Sequence, residues 1–241
     1  MFKDFGAKVL DTLFPDGIKC IFCGRDIPII GGRCTCEKCA KELPLNNHKT
    51  KCERCDDHIH SMAKFCDRCQ NNKVHFDVAI SPFVYKDKLV GLIHALKYSN
   101  AKYLADPLAE YMAEYFLKRK LKADVIIPVP LHEKRFKRRG YNQAEVLANA
   151  LGSKLGLPVL REAVERVVDN KTQRKLGYTE RRENIKGAFK VIGGKELKGK
   201  TIILVDDVLT SGATIEECSK VIKKHATKII ALTVARTVIK K

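Results

Sequence analysis

Residues Thr201–Ile215 read TIILVDDVLTSGATI, and the rest of the chain is organised around them. Ile202, Ile203, Leu204 and Val205 follow one another without alternation, the pattern of a strand buried on both faces of a parallel sheet. Asp206 and Asp207 stand where that run ends. Thr210, Ser211, Gly212, Ala213 and Thr214 then lead into an amphipathic helix. Strand, acidic pair, small-residue loop and helix start, in that order, describe an anion site at the carboxyl edge of an open α/β sheet. Backbone N–H groups and hydroxyls would meet a phosphate, and the carboxylates would face sugar hydroxyls or a divalent cation. Small polar residues in such a place also serve as a plain turn and helix cap. The doubled aspartate tips the reading, because like charges side by side repel unless hydroxyls or a metal occupy them.

No GxGxxG opens a βαβ unit. The stretch resembles the pyrophosphate-donor motif of type I phosphoribosyltransferases. That resemblance implies that Asp206 and Asp207 address the ribose 2- and 3-hydroxyls of phosphoribosyl pyrophosphate. It also implies that Val208, Leu209, Thr210, Ser211, Gly212, Ala213 and Thr214 form the loop that holds the 5-phosphate.

The chain has 241 residues and a formal charge of +18. Residues 1–75 carry 13 Lys/Arg against 10 Asp/Glu, and the remainder carries 33 against 18, so the basic excess belongs to the later part. Such a surface attracts polyanions, among them nucleic acid, nucleotides and anionic membrane, although a lysine-rich solvated face has the same composition. No run of 18 apolar residues predicts a transmembrane helix, and the opening MFKDFGAKVLDTLFPDG lacks the apolar core of a signal peptide. The expected location is cytoplasmic, with peripheral attachment to the inner face of the membrane as the alternative use of residues 1–19. Phe2, Phe5, Val9, Leu10, Leu13 and Phe14 in that segment have near-helical spacing.

Nine of the ten cysteines fall within residues 20–69. Four CxxC knuckles, Cys20/Cys23, Cys36/Cys39, Cys52/Cys55 and Cys66/Cys69, read as metal ligands, since two intervening residues let both sulfurs turn onto one ion. CIFCGRDI at Cys20 returns as CERCDDHI at Cys52, so the segment is an internal repeat. Two zinc ions are expected per chain. Sequential pairing puts Cys20, Cys23, Cys36 and Cys39 on one ion and Cys52, Cys55, Cys66 and Cys69 on the other. An interleaved cross-brace and iron–sulfur ligation are the alternatives. Cys34 breaks the repeat, and Cys218 sits on the apolar side of a late helix. So small a segment holds few core residues, so the metal should supply much of its folding energy.

Beyond a linker near Gln70–His75, Phe76–Tyr85 predicts an early strand or hairpin, Leu89–Tyr98 a short helix with Lys97 facing solvent, and Tyr103–Leu121 a longer helix. DVIIPVPL at Asp124–Leu131 predicts a second buried strand. It runs into Lys134, Arg135, Lys137, Arg138 and Arg139, then Tyr141 and a helix over Gln143–Leu155. Five cations directly after an α/β strand suggest an anion site for pyrophosphate or DNA, with Tyr141 as a ring for base stacking. Asp169–Asn184, with Arg181 and Arg182, has no sustained period and predicts a polar lid beside the site. A helix over Ile215–Lys224 and a last buried strand over Lys228–Ala235 complete the expected α/β domain, residues 76–241.

These later motifs together are similar to the ComF/GntX family of competence-associated phosphoribosyltransferase-like proteins. The residues that carry the likeness are the cysteine knuckles, LIHALKY at Leu92, PVPLHEKRFKRRGYNQ at Pro128, TQRKL through RRENIKGAF at Thr172, and VDDVLTSGAT at Val205. The resemblance implies a type I phosphoribosyltransferase-like parallel-sheet α/β domain preceded by a double zinc-ribbon module at 20–70. It implies a cytoplasmic protein that handles single-stranded DNA in natural transformation, beside other DNA-uptake proteins such as a helicase. It also implies a site for phosphoribosyl pyrophosphate with Mg²⁺. Two further readings stay open: an active phosphoribosyltransferase acting on a base or amine, and a zinc-containing interaction adaptor without catalysis.

Overall fold

The computed structural model describes residues 19–27, 34–59, 63–169 and 178–238, leaving out the side chains of Tyr178, Thr179 and Arg181. The expected helix before Lys19, the TQRKL segment and the side chain of Arg181 lie outside the described residues. The chain divides into two compact units, residues 1–43 and 44–241. The sequence grouped all four knuckles at 20–70, whereas here the second pair of knuckles belongs to the same unit as the α/β domain.

In the first unit, Lys19 and Asp26 form an antiparallel bridge across a knuckle whose Gly24 takes φ +71°. The short helix α1 (Glu37–Glu42) starts at Cys36, whose sulfur accepts from the Cys39 amide. Buried Cys20, Ile27 and Cys39, with Phe22 against them, form its small core.

The second unit opens with the same knuckle, displaced along the chain. Lys51 bridges His58, and Asp56 takes the left-handed backbone at φ 60° that Gly24 takes in the first. Helix α2 (Asp67–Asn71) follows. The sheet domain then runs β1 (Val78–Ile80), β2 (Phe83–Val84), α3 (Lys88–Tyr98), α4 (Ala105–Lys118), β3 (Val125–Pro128), α5 (Glu133–Arg139), α6 (Gln143–Leu155), β4 (Val164–Arg166), α7 (Tyr178–Ile185), β5 (Phe189–Val191), β6 (Thr201–Leu209), α8 (Ala213–Ile222) and β7 (Lys228–Arg236). The main sheet is parallel in the order β1-β7-β6-β3, with β2 continuing along β7 beyond β1. Pro82 separates β1 from β2, as expected of a residue without an amide proton to give the ladder. β4 and β5 form a separate antiparallel pair.

The central strands are apolar because both faces are covered. Ile202, Ile203, Leu204 and Val205 of β6, and Ile229 through Leu232 of β7, are fully buried. Helix α6 comes so near the chain after it that a Cβ on Gly152 would lie 2.7 Å from Val159 Cγ2 and 2.9 Å from the Leu157 carbonyl oxygen. Glycine is therefore required there.

Three expectations change. β6 continues through the acidic pair to Leu209 because β7 goes on pairing with it, Asp206 against Thr233 and Leu209 against Arg236. The basic cluster after β3 is helical, started by His132, whose Nδ1 accepts from the Lys134 amide, and ended by Gly140 at φ 80°. Part of the expected lid is helix α7. Among the described residues no helix is long and apolar enough to cross a membrane.

Candidate functional site

Adjacent residues on a strand point to opposite faces, so the acidic pair at the end of β6 serves two sides of the sheet edge. Asp207 turns toward α3, where Lys97 Nζ lies 2.6 Å from its Oδ2. Lys97 is thus not a solvent-facing residue: the last turn of α3 aims it back over the carboxyl edge. Burial works to lower the pKa of this ammonium, but the charges of Asp207 and Asp206 and the hydrogen bond to Asp207 outweigh it and hold the group above its ordinary value. Asp206 lies within electrostatic range of Arg166 and of Cys218 on α8. Burial, and after it the charge of Asp207, lifts the Asp206 carboxyl to about 7, with Lys97 pulling the other way. Each carboxylate also accepts a backbone amide, Asp206 Oδ1 from Asp207 and Asp207 Oδ1 from Val208, both at 2.8 Å.

The pair opens into a cleft of about 470 Å³. Val208, Thr210 and Thr214 line the phosphate-loop side, and Arg135, Arg139 and Arg166 the basic side. Tyr85, His94 and Tyr98 form an aromatic wall. The loop enters α8 through Gly212 at φ 77°, and Ser211 Oγ accepts from the Ala213 amide at 3.4 Å. Ser211, Gly212 and Ala213 also border a smaller cavity on the far side, with Arg68 and Arg182. The structure therefore gathers the acidic pair, three of the seven predicted loop residues and two of the predicted arginines around one cleft.

Other predicted contacts fall elsewhere. Arg138 is exposed and does not line the cleft, because the helical turn of α5 carries it away from Arg135 and Arg139. Arg182 is outside the cleft too; its Nη1 donates to Asn72 Oδ1 at 3.1 Å. Tyr141 is buried, its hydroxyl donating to the Leu96 carbonyl, with Lys102 Nζ 4.8 Å from its ring centroid. It is not a surface stacking ring. Tyr98, by contrast, is 49% exposed and has the Arg139 guanidinium 5.1 Å from its ring centroid.

The sequence reading also passed over Arg166. Burial first, then the charge of Arg135, lowers its pKa to about 10 against the pull of Asp206 and Asp169. A cation inside a strand pattern has no periodic signature, and only the fold brings β4 to the β6 edge.

The eight knuckle cysteines form two groups, Cys20, Cys23, Cys36 and Cys39, and Cys52, Cys55, Cys66 and Cys69. Within each, the sulfurs lie within 4.8 Å of one another. Cys23–Cys36 and Cys55–Cys66 are 3.7 Å apart. A tetrahedral ion with Zn–S bonds of about 2.3 Å needs sulfurs about 3.8 Å apart, so both groups fit zinc in the sequential arrangement.

The second group is held by buried polar contacts. Asp56, wholly buried, accepts from Asn46 Nδ2, Tyr115 Oη and Arg119 Nη1. Arg236, at the end of β7, is buried with its Nη2 2.8 Å from Asp57 Oδ1 and its Nη1 donating to the Cys55 carbonyl.

Sheet order, acidic pair and loop together define a phosphoribosyltransferase-type domain, and the family model described as "Phosphoribosyl transferase domain" matches residues 95–239. The chain is 38% identical over 168 residues to "Competence protein F" of Haemophilus influenzae, covering 67% of this chain and 73% of that protein. It is 30% identical over 165 residues to "DNA utilization protein YhgH" of Escherichia coli K12, covering 66% and 72%. "Competence protein ComFC" of Streptococcus pneumoniae matches at 27% over 146 residues, 61% of this chain and 62% of that one. The chain belongs to the ComF family of phosphoribosyltransferase-domain proteins.

Proposed function

We propose that this protein is a competence-associated protein that binds single-stranded DNA in natural transformation and keeps a magnesium-dependent site for phosphoribosyl pyrophosphate. The observation that carries the ligand reading is the cleft itself, where Asp206 and Asp207 stand beside the 210–214 loop and face Arg135, Arg139 and Arg166. A cleft lined by an acidic pair and three arginines suits a molecule that carries both sugar hydroxyls and a polyphosphate. In this reading Asp206 and Asp207 accept from the ribose 2- and 3-hydroxyls, the loop amides and hydroxyls hold the 5-phosphate, and the arginines meet the pyrophosphate. Magnesium takes few protein ligands and completes its shell with phosphate oxygens and water. The acidic pair therefore fits an ion that arrives with the pyrophosphate and reduces its charge.

The DNA reading is supported by the names of the relatives, by the basic excess beyond residue 75, and by Tyr98 with Arg139 at the cleft mouth. A half-exposed ring beside a guanidinium offers a base a face to stack on and its phosphate a partner. Contact with other DNA-uptake proteins, a helicase among them, belongs to the same reading.

Calorimetry with phosphoribosyl pyrophosphate and Mg²⁺ tests the ligand site. The parent should bind, and both the double change Asp206→Ala/Asp207→Ala and Gly212→Val should bind far more weakly. A β-branched residue at φ 77° strains the loop where it approaches phosphate. Equal affinity in the parent and the Gly212→Val protein would remove the loop as the cradle.

A second reading, turnover, is favoured by the aromatic wall of Tyr85, His94 and Tyr98, which gives a flat acceptor somewhere to lie. Transfer would form a bond from the acceptor to ribose C1 as the bond from C1 to pyrophosphate breaks. Positive charge building on the sugar would be favoured by the acidic pair. A radiolabelled donor screened against nucleobases and amines decides this reading; no labelled product would leave binding alone.

A further inference from the structure

The second cysteine group and the phosphate loop share a set of direct ties. Arg68 lies between two cysteines of the group, Cys66 and Cys69, and its Nη1 donates to the Ser211 carbonyl in the loop at 3.2 Å. A few residues on, the His75 amide donates to Glu216 Oε2 at 2.9 Å, and His75 Nδ1 is 2.5 Å from Glu216 Oε1, in the first turn of α8. The other end of the loop is tied as well. Leu209 pairs with Arg236 in the sheet, the Thr237 amide donates to the Leu209 carbonyl at 3.0 Å, and Arg236 donates to the Cys55 carbonyl. Arg54 closes the network by donating to the Cys69 carbonyl at 2.8 Å.

We infer that the second metal centre is a working part of the sugar-phosphate site, with Arg68 as the positioning residue that transmits its order to the loop. The inference rests on the reading of residues 210–214 as the phosphate cradle.

The physical reason is the geometry of α2. Five residues are too few to hold a helix by their own hydrogen bonds, so the order of α2 depends on what anchors its ends. Cys66 is its N-cap and Cys69 lies inside it, so one ion bound by both sulfurs fixes the direction in which Arg68 projects. A guanidinium on the Ser211 carbonyl then holds the peptide immediately before Gly212. That glycine has a left-handed backbone and nothing closer to its Cβ position than Leu209 Cδ1 at 3.7 Å, so local packing does little to hold it. A loop that must aim several amides at one phosphate loses affinity if it is free to reorient. Beside the ties to α8 and β7, Arg68 supplies a hydrogen bond on the Ser211 carbonyl itself.

The test compares Arg68→Ala, Arg68→Lys and Cys23→Ser with the parent, all as full chains. Metal analysis first establishes that Arg68→Ala keeps the parent's zinc content and melting temperature. Hydrogen exchange of the Leu209–Thr214 amides is then followed without ligand, and affinity for phosphoribosyl pyrophosphate with Mg²⁺ is measured by calorimetry. Arg68→Ala should exchange faster across the loop and bind the donor about tenfold more weakly, as loss of one charge-assisted hydrogen bond implies. Arg68→Lys, which keeps the charge and a donor, should lie between the two. Cys23→Ser, in the other compact unit, should leave loop exchange and donor affinity at the parent's values. Parent-like exchange and parent-like affinity in Arg68→Ala would overturn the coupling and leave the donor reading standing. If the parent itself fails to bind the donor, the donor reading falls, and loop exchange alone then decides whether the metal centre orders the loop.

Discussion

Lys97 Nζ lies 2.6 Å from Asp207 Oδ2, so the last turn of α3 places a cation between the sheet edge and the cleft. Without it, two adjacent buried carboxylates would stand side by side with less compensating charge. Removing one partner of a buried ion pair costs about 3–5 kcal/mol. Because Lys97 is a quarter exposed, Lys97→Met should cost about 2–3 kcal/mol at pH 7.5. The loss should shrink at pH 5, where Asp206, its carboxyl raised to about 7, carries its proton. Urea unfolding at both pH values checks this, and an equal loss at each would remove the acidic pair as the cause.

Asp206 gives a pH signature of its own. Its pKa in the folded protein, about 7, is above its ordinary value of 3.8. Its contribution to stability is therefore fully present below about pH 4 and lost as pH rises through about 7. Asp206→Asn should be more stable than the parent at pH 8 and should flatten the fall in stability between pH 4 and 7. Donor affinity should run the other way in the parent, strengthening from pH 6 to 8 as Asp206 ionises and accepts from a ribose hydroxyl. A parent and an Asp206→Asn protein with parallel stability profiles would contradict the assignment.

The Arg236–Asp57 pair ties the second cysteine group to the end of β7. Arg236→Met leaves Asp57 buried without its cation and should destabilise by about 3–5 kcal/mol. The double change Arg236→Met/Asp57→Leu removes both charges and should recover part of that loss. Guanidinium unfolding of the two variants is the measurement. A double variant less stable than the single one would mean that the uncompensated charge of Asp57 is not the source of the loss.

Metal content should be about two zinc ions per chain in protein purified without added zinc, since both cysteine groups have tetrahedral sulfur spacing. Cys52→Ser should lower the count to about one and destabilise the second unit, because that group lies inside its core. Iron as the main metal would overturn the assignment.

For DNA, Tyr98 and Tyr141 make opposite predictions. Tyr98→Ala should weaken single-strand binding by about 1–3 kcal/mol, the usual worth of one stacked base. Tyr141→Phe should leave DNA affinity unchanged and cost about 1 kcal/mol of stability through its lost hydrogen bond. Arg138→Ala should lower the salt dependence of DNA binding by about 0.7 in log–log slope without changing donor affinity, whereas Arg139→Ala should affect both. Fluorescence anisotropy across a salt series, at fixed free Mg²⁺, reads these outcomes. Unchanged binding in all three variants would move the DNA surface away from the cleft.

The parallel sheet, the small-residue loop after β6 and the two cysteine groups could be read along the chain because each is a local signal. An unbroken branched run marks a doubly covered strand, small residues mark the turn into a helix, and two-residue spacing marks a pair of thiolates. Asp206, Asp207, the loop after them and the eight cysteines were therefore legible from residue order and spacing. Which cations meet that acidic pair was decided by tertiary structure alone. Lys97 and Arg166 are far from β6 in sequence, and each sits in a helix or strand pattern that suits a solvated residue equally well. Burial likewise took Tyr141 into the core and left Tyr98 half exposed, a difference set by which way each backbone turns. The division of the knuckles between two units was also invisible in the repeat. Nearly identical cysteine spacing folds nearly identical knuckles, and the second one is tied to the rest of its unit by partners distant in sequence, among them Tyr115 on α4 for Asp56 and Arg236 on β7 for Asp57.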